Sequence, residues 1–117
     1  MSTRSRIGVL NPDTNIVTSI YCHFDGHPSN NGKLLLDFYN TKDKAEELIS
    51  YGDMSSLKKT IADSKFYIRD CDDVDCWSRE STEDGFYHSL KEEYNYLFKH
   101  NKWHLEGVAL TEEMCFG

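Results

Sequence analysis

The chain has 117 residues, a formal net charge of −7 and a pI near 5.1. Its length fits a single domain spanning residues 1–117. Its acidity argues against a nucleic-acid backbone or an anionic membrane as the main partner, because both attract basic surfaces. No run of about 18 apolar residues is present, so we expect no membrane-spanning segment. The basic residues 1–6 are not followed by the apolar stretch of a signal peptide, so we expect a cytoplasmic location. The four cysteines are then expected to be reduced.

The first half of the chain predicts a β-hairpin followed by helices. Residues 6–10 and 16–24 alternate apolar side chains as strands do, and the Asn-, Pro- and Asp-containing residues 11–15 supply turn chemistry between them. The Leu-rich residues 33–39 predict a short buried helix. Neither face of the hairpin is fully polar, which indicates that something covers both faces.

A second helix is predicted to begin after Thr41 and to stop at Gly52, because Thr is a good N-cap and Gly commonly follows a helix end. Leu57 and Ile61 indicate one or two further helical turns that end by Ser64.

The second half predicts a short strand, a loop, a helix and a closing hairpin. Residues 66–69 are strand-like, and the acidic residues that follow predict an exposed loop. Residues 83–93 carry apolar side chains at helical spacing. Residues 94–99 and 102–106 predict a hairpin in which Phe98 faces Trp103 and Tyr96 faces Leu105.

The element order β-β-α-α-β-α-β-β predicts an α+β domain. We expect one antiparallel sheet, built from the N- and C-terminal hairpins and a short middle strand, with the helices packed on one face. Residues 107–117 are left as a C-terminal tail.

His23, Asp25 and His27 form the densest group of chemically active side chains. Their spacing places them on one face of an extended strand, about 7 Å apart between successive positions, and a bend at Gly26 would bring them closer. Such a group suits ligand recognition, a divalent metal or an acid–base pair, which leaves a metal-dependent enzyme as an alternative. The simpler interpretation is a turn held by an Asp25 side-chain bond. We assign no catalytic residue, metal or cofactor.

Further residues are candidates for partner or ligand binding. Arg4 and Arg6 are either solvated or positioned to pair with carboxylates or an anionic ligand. Asn30 precedes a predicted helix start, whose free N–H groups can hold a phosphate. Asp72 and Asp73 lie in the acidic loop, which lacks the Gly and distal Glu of a calcium-binding EF-hand, so they indicate a solvated loop or a partner-binding patch.

Several motifs occur together along the chain. They are a Ser-Thr-Arg-Ser-x-Ile start at 2–7, a Tyr-x-His-x-Asp-Gly-His-Pro motif at 21–28, Gly32 before a Leu-rich helix, Tyr-x-Arg-Asp at 67–70 and Tyr-Leu-Phe-x-x-x-x-Trp at 96–103. This combination resembles a family of short uncharacterised proteins of tailed phages and prophages, over roughly residues 2 to 106. The family usually has Tyr at the position of His27.

The resemblance implies a phage origin, and small non-structural phage proteins commonly bind and redirect or inhibit host machinery. Together with the small size and negative charge, it favours an accessory protein, for example a counter-defence factor. Such a protein would bind a host protein in the host cytoplasm through the acidic loop and the Asp25–Gly26 turn. The alternative is a protein that binds a small anionic ligand, a nucleotide or signalling phosphate, at residues 30–32 with Arg4 or Arg6 and His23 supplying charge. The oligomeric state stays open.

Overall fold

The computed structural model of the chain describes residues 3–71 and 75–115. These residues form eight strands, β1 (Ser5–Asn11), β2 (Ile16–Cys22), β3 (Met54–Ser56), β4 (Lys65–Phe66), β5 (Arg79–Ser81), β6 (Tyr94–Lys99), β7 (Lys102–Leu105) and β8 (Val108–Ala109). They also form four α-helices, α1 (Lys33–Phe38), α2 (Lys42–Ile49), α3 (Tyr67–Cys71) and α4 (Glu83–His88). A π-helical turn at Pro28–Gly32 leads into α1, and a 3-10 turn at Glu113–Cys115 follows β8.

The two predicted hairpins are confirmed. β1 and β2 are antiparallel neighbours, and so are β6 and β7, with Phe98 opposite Trp103 and Tyr96 opposite Leu105. The rings of Phe98 and Trp103 meet edge to face with their centroids 5.2 Å apart. An aromatic pair of this geometry adds about 0.5–1.5 kcal/mol beyond the burial of its area, so the closing hairpin is stabilised locally.

The prediction of an antiparallel sheet is only partly right, because the sheet is mixed. Its strand order is β4-β3-β2-β1-β6-β7-β8, and β5 pairs separately with part of β2. β1 runs parallel to β6, and β2 runs parallel to β3. A short turn fixes antiparallel pairing only for the strands that it joins. Most of the chain separates β1 from β6, so packing alone sets their relative direction.

The helices lie on both faces of the sheet, although the sequence predicted a single helical face. One face carries the main core, in which Ile20 of β2 packs with Leu48 of α2. The opposite face carries a smaller cluster, in which Phe86 of α4 packs with Val17 and Leu97. Because β2 points an apolar side chain to each face, each face has to be covered.

Helices α1 and α2 lie where they were predicted. The Thr41 side chain caps α2 by accepting a hydrogen bond from the Lys44 N–H at 3.2 Å. Gly52 follows this helix with φ of +84°, a backbone conformation that glycine adopts without strain. Within the described residues, no helix is long and apolar enough to cross a membrane.

The middle of the chain departs most from the prediction. Residues 57–64 do not form the predicted helix, and the Ser64 hydroxyl instead closes a loop by accepting from the Lys58 N–H and donating to the Thr60 carbonyl, both at 2.8 Å. Of the strand predicted at 66–69, only Phe66 is in a strand, because α3 begins at Tyr67. The helix predicted at 83–93 is shorter, since α4 ends at His88. Part of the predicted tail is ordered, because β8 extends the sheet beside β7.

The second, smaller core gives a direct test of the two-faced sheet. Phe86 is fully buried, whereas Phe38 at the end of α1 is 42% exposed. We expect Phe86→Ala to lower the free energy of unfolding by about 3–5 kcal/mol, as is typical of large cavities in a core. The matched change Phe38→Ala should cost about 0.5 kcal/mol. Urea denaturation measures both, and similar costs for the two variants would show that α4 does not cover the second face.

Candidate functional site

The chain leaves β2 through a tight turn that packs on β1. Asp25 has a left-handed backbone with φ of 59°, which Asp tolerates better than most residues. The next N–H, that of Gly26, donates to the Thr3 carbonyl at 2.8 Å. A Cβ on Gly26 would lie 2.8 Å from that of Ser5, so only glycine fits there. Asp25 contributes its backbone carbonyl, which accepts from the Asn30 side-chain amide at 3.3 Å.

This turn separates the two histidines of the motif. The His23 Nδ1 lies 2.6 Å from the Tyr21 hydroxyl. His27 instead packs its ring edge to face on Tyr94, with centroids 5.4 Å apart, beside the main core. β2 ends at Cys22, before all three residues. His23, Asp25 and His27 therefore do not line up on one face of a strand as predicted.

The N–H groups that were expected to receive a phosphate are used within the turn. The Ser29 N–H donates to His27 Nδ1 at 3.1 Å. The N–H groups of Asn30 and Asn31 both donate to the His27 carbonyl, at 2.9 and 3.1 Å. A phosphate at residues 30–32 would thus have to displace bonds that already hold the turn together.

No metal site is apparent in the part of the chain that the structure describes, since no three His, Cys, Asp or Glu residues there are grouped to hold an ion. The alternative of a metal-dependent enzyme built on His23, Asp25 and His27 has no support in those residues. Asp72 and Asp73 lie outside the described residues.

Arg4 and Arg6 have different environments. Arg4 is exposed, whereas Arg6 is only 7% exposed and lies opposite Tyr21 in the β1–β2 ladder. The Arg6 Nε donates to the Leu90 carbonyl at 3.0 Å, and its Nη1 donates to the Ser19 hydroxyl at 3.1 Å. Burial lowers the pKa of Arg6, and the charge of Asp53 opposes that shift, so the guanidinium stays charged. Arg6 is a buried structural cation, and Arg4 is the one that a partner can reach.

Asp53 occupies a junction that the sequence did not point to. Its Oδ1 accepts from the Tyr21 N–H at 2.8 Å, its own N–H donates to the Cys76 carbonyl at 2.7 Å, and its carbonyl accepts from the Tyr67 N–H at 3.1 Å. The preceding Gly52 is essential to this approach, because a Cβ there would lie 2.5 Å from the Cys76 carbonyl oxygen. A Gly-Asp pair after a helix was the only available signal, and it also fits an ordinary turn.

Tyr21, His23 and Phe24 lie at or just after the end of β2, and Asp53 joins the backbone of Tyr21 to that of Cys76, which precedes Trp77. We call the side chains of Arg4, Tyr21, His23, Phe24 and Trp77 the Tyr21 surface. His23 meets Phe24 edge to face with ring centroids 4.5 Å apart. Burial raises the pKa of Tyr21 and nearby Arg4 opposes the shift, so the phenol is neutral when it bonds to His23. Trp77 and Phe24 are 57% and 46% exposed. The surface combines aromatic rings with one reachable cation.

Comparisons with protein-family models, curated proteins and solved structures find no significant match to this chain. The resemblance to phage proteins rests on the motif residues alone. Two of those motifs meet in the fold, because the Tyr96 hydroxyl donates to the Gly26 carbonyl at 2.7 Å. The Asp-Gly turn and the closing hairpin thus form one structural unit.

The contrast between the two arginines is testable. We expect Arg6→Ala to lower the free energy of unfolding by about 1.5–3 kcal/mol, because two hydrogen bonds from a charged donor are lost and their acceptors are left buried. Arg4→Ala should stay within about 0.5 kcal/mol of the wild type. Guanidinium denaturation of the two variants measures this. An Arg6→Ala variant as stable as the wild type would contradict the structural role of Arg6 and leave it as a candidate for ligand binding.

Proposed function

We propose that this chain is a non-enzymatic binding protein that recognises a host protein through the Tyr21 surface, as a phage accessory protein acting in the host cytoplasm. The observation that carries the proposal is the exposure of Phe24, which follows β2, and of Trp77, whose neighbour Cys76 is joined to Tyr21 through Asp53. Trp, Tyr and Arg are the residues that most often dominate the binding energy of protein interfaces. We infer modulation or inhibition of the host protein from the phage resemblance.

The environment of the nearest reactive groups favours binding over catalysis. The Cys22 thiol is fully buried, and burial raises its pKa to about 11, so it is protonated at neutral pH and is not an effective nucleophile. The His23 Nδ1 already bonds to the Tyr21 hydroxyl, which orients the ring as part of the surface.

The rigidity of the Tyr21 surface supports a recognition role as well. Asp53 fixes the backbones of Tyr21 and of Cys76, the residue before Trp77. These backbones lose conformational entropy during folding, so less is lost when a partner binds. Asp72 and Asp73 precede Trp77 closely in sequence. We therefore propose a partner with an apolar pocket for Trp77 and a basic rim for the acidic loop.

The experiment compares three forms of the protein as bait in a lysate of the bacterial host. We expect the wild type to retain a host protein and Trp77→Ala to bind that protein at least about 30-fold more weakly, as expected for a hot-spot tryptophan. Val108→Ala removes an equally exposed apolar side chain at the far edge of the sheet and should bind as the wild type does.

The dissociation constant of each form for the recovered protein is then measured directly. Both variants change exposed side chains, so both should unfold at the wild-type denaturant concentration. A host protein that binds Trp77→Ala as tightly as the wild type would contradict the assignment of the Tyr21 surface. Recovery of no host protein would contradict the function itself.

A further inference from the structure

A groove separate from the Tyr21 surface runs between the π-helical turn, α1 and the loop after β3. It has a volume of about 470 Å³ and is lined by Asn30, Leu34, Leu57, Lys58, Lys59 and Asp63. It continues into a depression of about 300 Å³, which shares Asn30, Leu34 and Lys59 and adds Ser29, Phe38 and the ion pair of Lys33 with Asp37 at 2.9 Å. Both volumes are of the order of those of small-molecule sites.

Two adjacent lysines line one side of the groove, although Asp63 also borders it. Lys58 and Lys59 are the only two adjacent lysines in a chain of net charge −7. The backbone of Lys58 is fixed on both sides, because its N–H donates to the Ser64 hydroxyl and its carbonyl accepts from the Tyr39 hydroxyl, both at 2.8 Å. Both lysines are exposed and line the groove, so their ammonium groups are accessible to a ligand.

The same groove also presents apolar and aromatic surface. Leu57 lies at its base and is almost completely buried, while Phe38 exposes 42% of its surface at one end. The Lys59 Nζ lies 5.9 Å from the centroid of the Phe38 ring, so a cation and an aromatic face are adjacent. Asn30, whose Nδ2 donates to the Asp25 carbonyl and to the Asn31 side chain, also borders the groove.

We propose that this groove binds a nucleoside phosphate, with the base against Phe38 and Leu34 and the phosphate between Lys58 and Lys59. A flat aromatic group and a compact anion within one small molecule match the two kinds of surface that the groove offers side by side. The site keeps Asn30 from the sequence-based alternative but replaces Arg4, Arg6 and His23 with lysines. It shares no residue with the Tyr21 surface, so it is independent of the proposed partner binding.

Isothermal titration of the full chain with ATP, adenosine and inorganic tripolyphosphate tests the proposal. We expect ATP to bind more tightly than either of the other two probes, because only ATP uses both surfaces. Lys58→Glu/Lys59→Glu should weaken ATP binding by about tenfold or more through loss of charge-assisted contacts. Phe38→Ala should weaken the binding of ATP and leave that of tripolyphosphate unchanged.

A matched control separates local contacts from net charge. Lys91→Glu/Lys102→Glu makes the same change in net charge at two exposed lysines outside the groove and should bind ATP as the wild type does. Failure of the wild type to bind ATP at millimolar concentration would overturn the proposal, as would an equal loss of affinity in the two double variants. Tighter binding of a glutamate-rich peptide than of ATP, with the same dependence on Lys58 and Lys59, would assign the groove to an acidic protein segment and overturn it too.

Discussion

No single strand pairs along the whole edge of β2 that faces away from β1. The fold depends on how the backbone groups left unpaired on that edge are satisfied. β5 pairs with residues 17–19, while β3 pairs with Cys22 and accepts the N–H groups of His23 and Phe24. The Tyr21 N–H between them is left without a strand partner. The Asp53 carboxylate accepts that N–H at 2.8 Å. An N–H buried here without a partner would cost about 1–3 kcal/mol, a large fraction of the stability of a domain of this size.

The same residue determines what the end of the sheet presents to solvent. Asp53 also bonds to the backbones of Tyr67 and Cys76, so α3 and the entry to β5 are held against β2. Its charge opposes the lowering of the Arg6 pKa by burial, and Arg6 lies opposite Tyr21 in the β1–β2 ladder. The Tyr21 surface is therefore arranged by two charged residues, Asp53 and Arg6, that do not belong to it.

The parts of the fold that sequence predicts are those that local chemistry decides. Alternation and turn residues identify the two hairpins, including the Phe98–Trp103 pair, and Thr41 marks the start of α2. β3, β5 and β8 are two or three residues long and show no periodic pattern, so only tertiary contacts define them. The relative direction of β1 and β6 is likewise set by packing between segments that are far apart in sequence.

The candidate sites also depend partly on local sequence and partly on tertiary contacts. The motif at 21–28 marks the correct region, but spacing alone does not show that Asp25 turns the chain and separates His23 from His27. Arg6 looks like a surface cation until Leu90 and Ser19, on remote elements, become its acceptors. The groove lined by Lys58 and Lys59 also needs α1 beside it, which is a non-local contact.

Amide hydrogen exchange at Tyr21 tests the role of Asp53 most directly. We expect the Tyr21 N–H of the wild type to be as protected as the central amides of β1 and β2. In Asp53→Ala it should lose that protection, while Gly8 in the centre of β1 keeps its own. Asp53→Asn retains an oxygen acceptor and should preserve most of the protection. A Tyr21 amide that exchanges as fast as exposed loop amides in the wild type, or that stays fully protected in Asp53→Ala, would contradict the role assigned to Asp53.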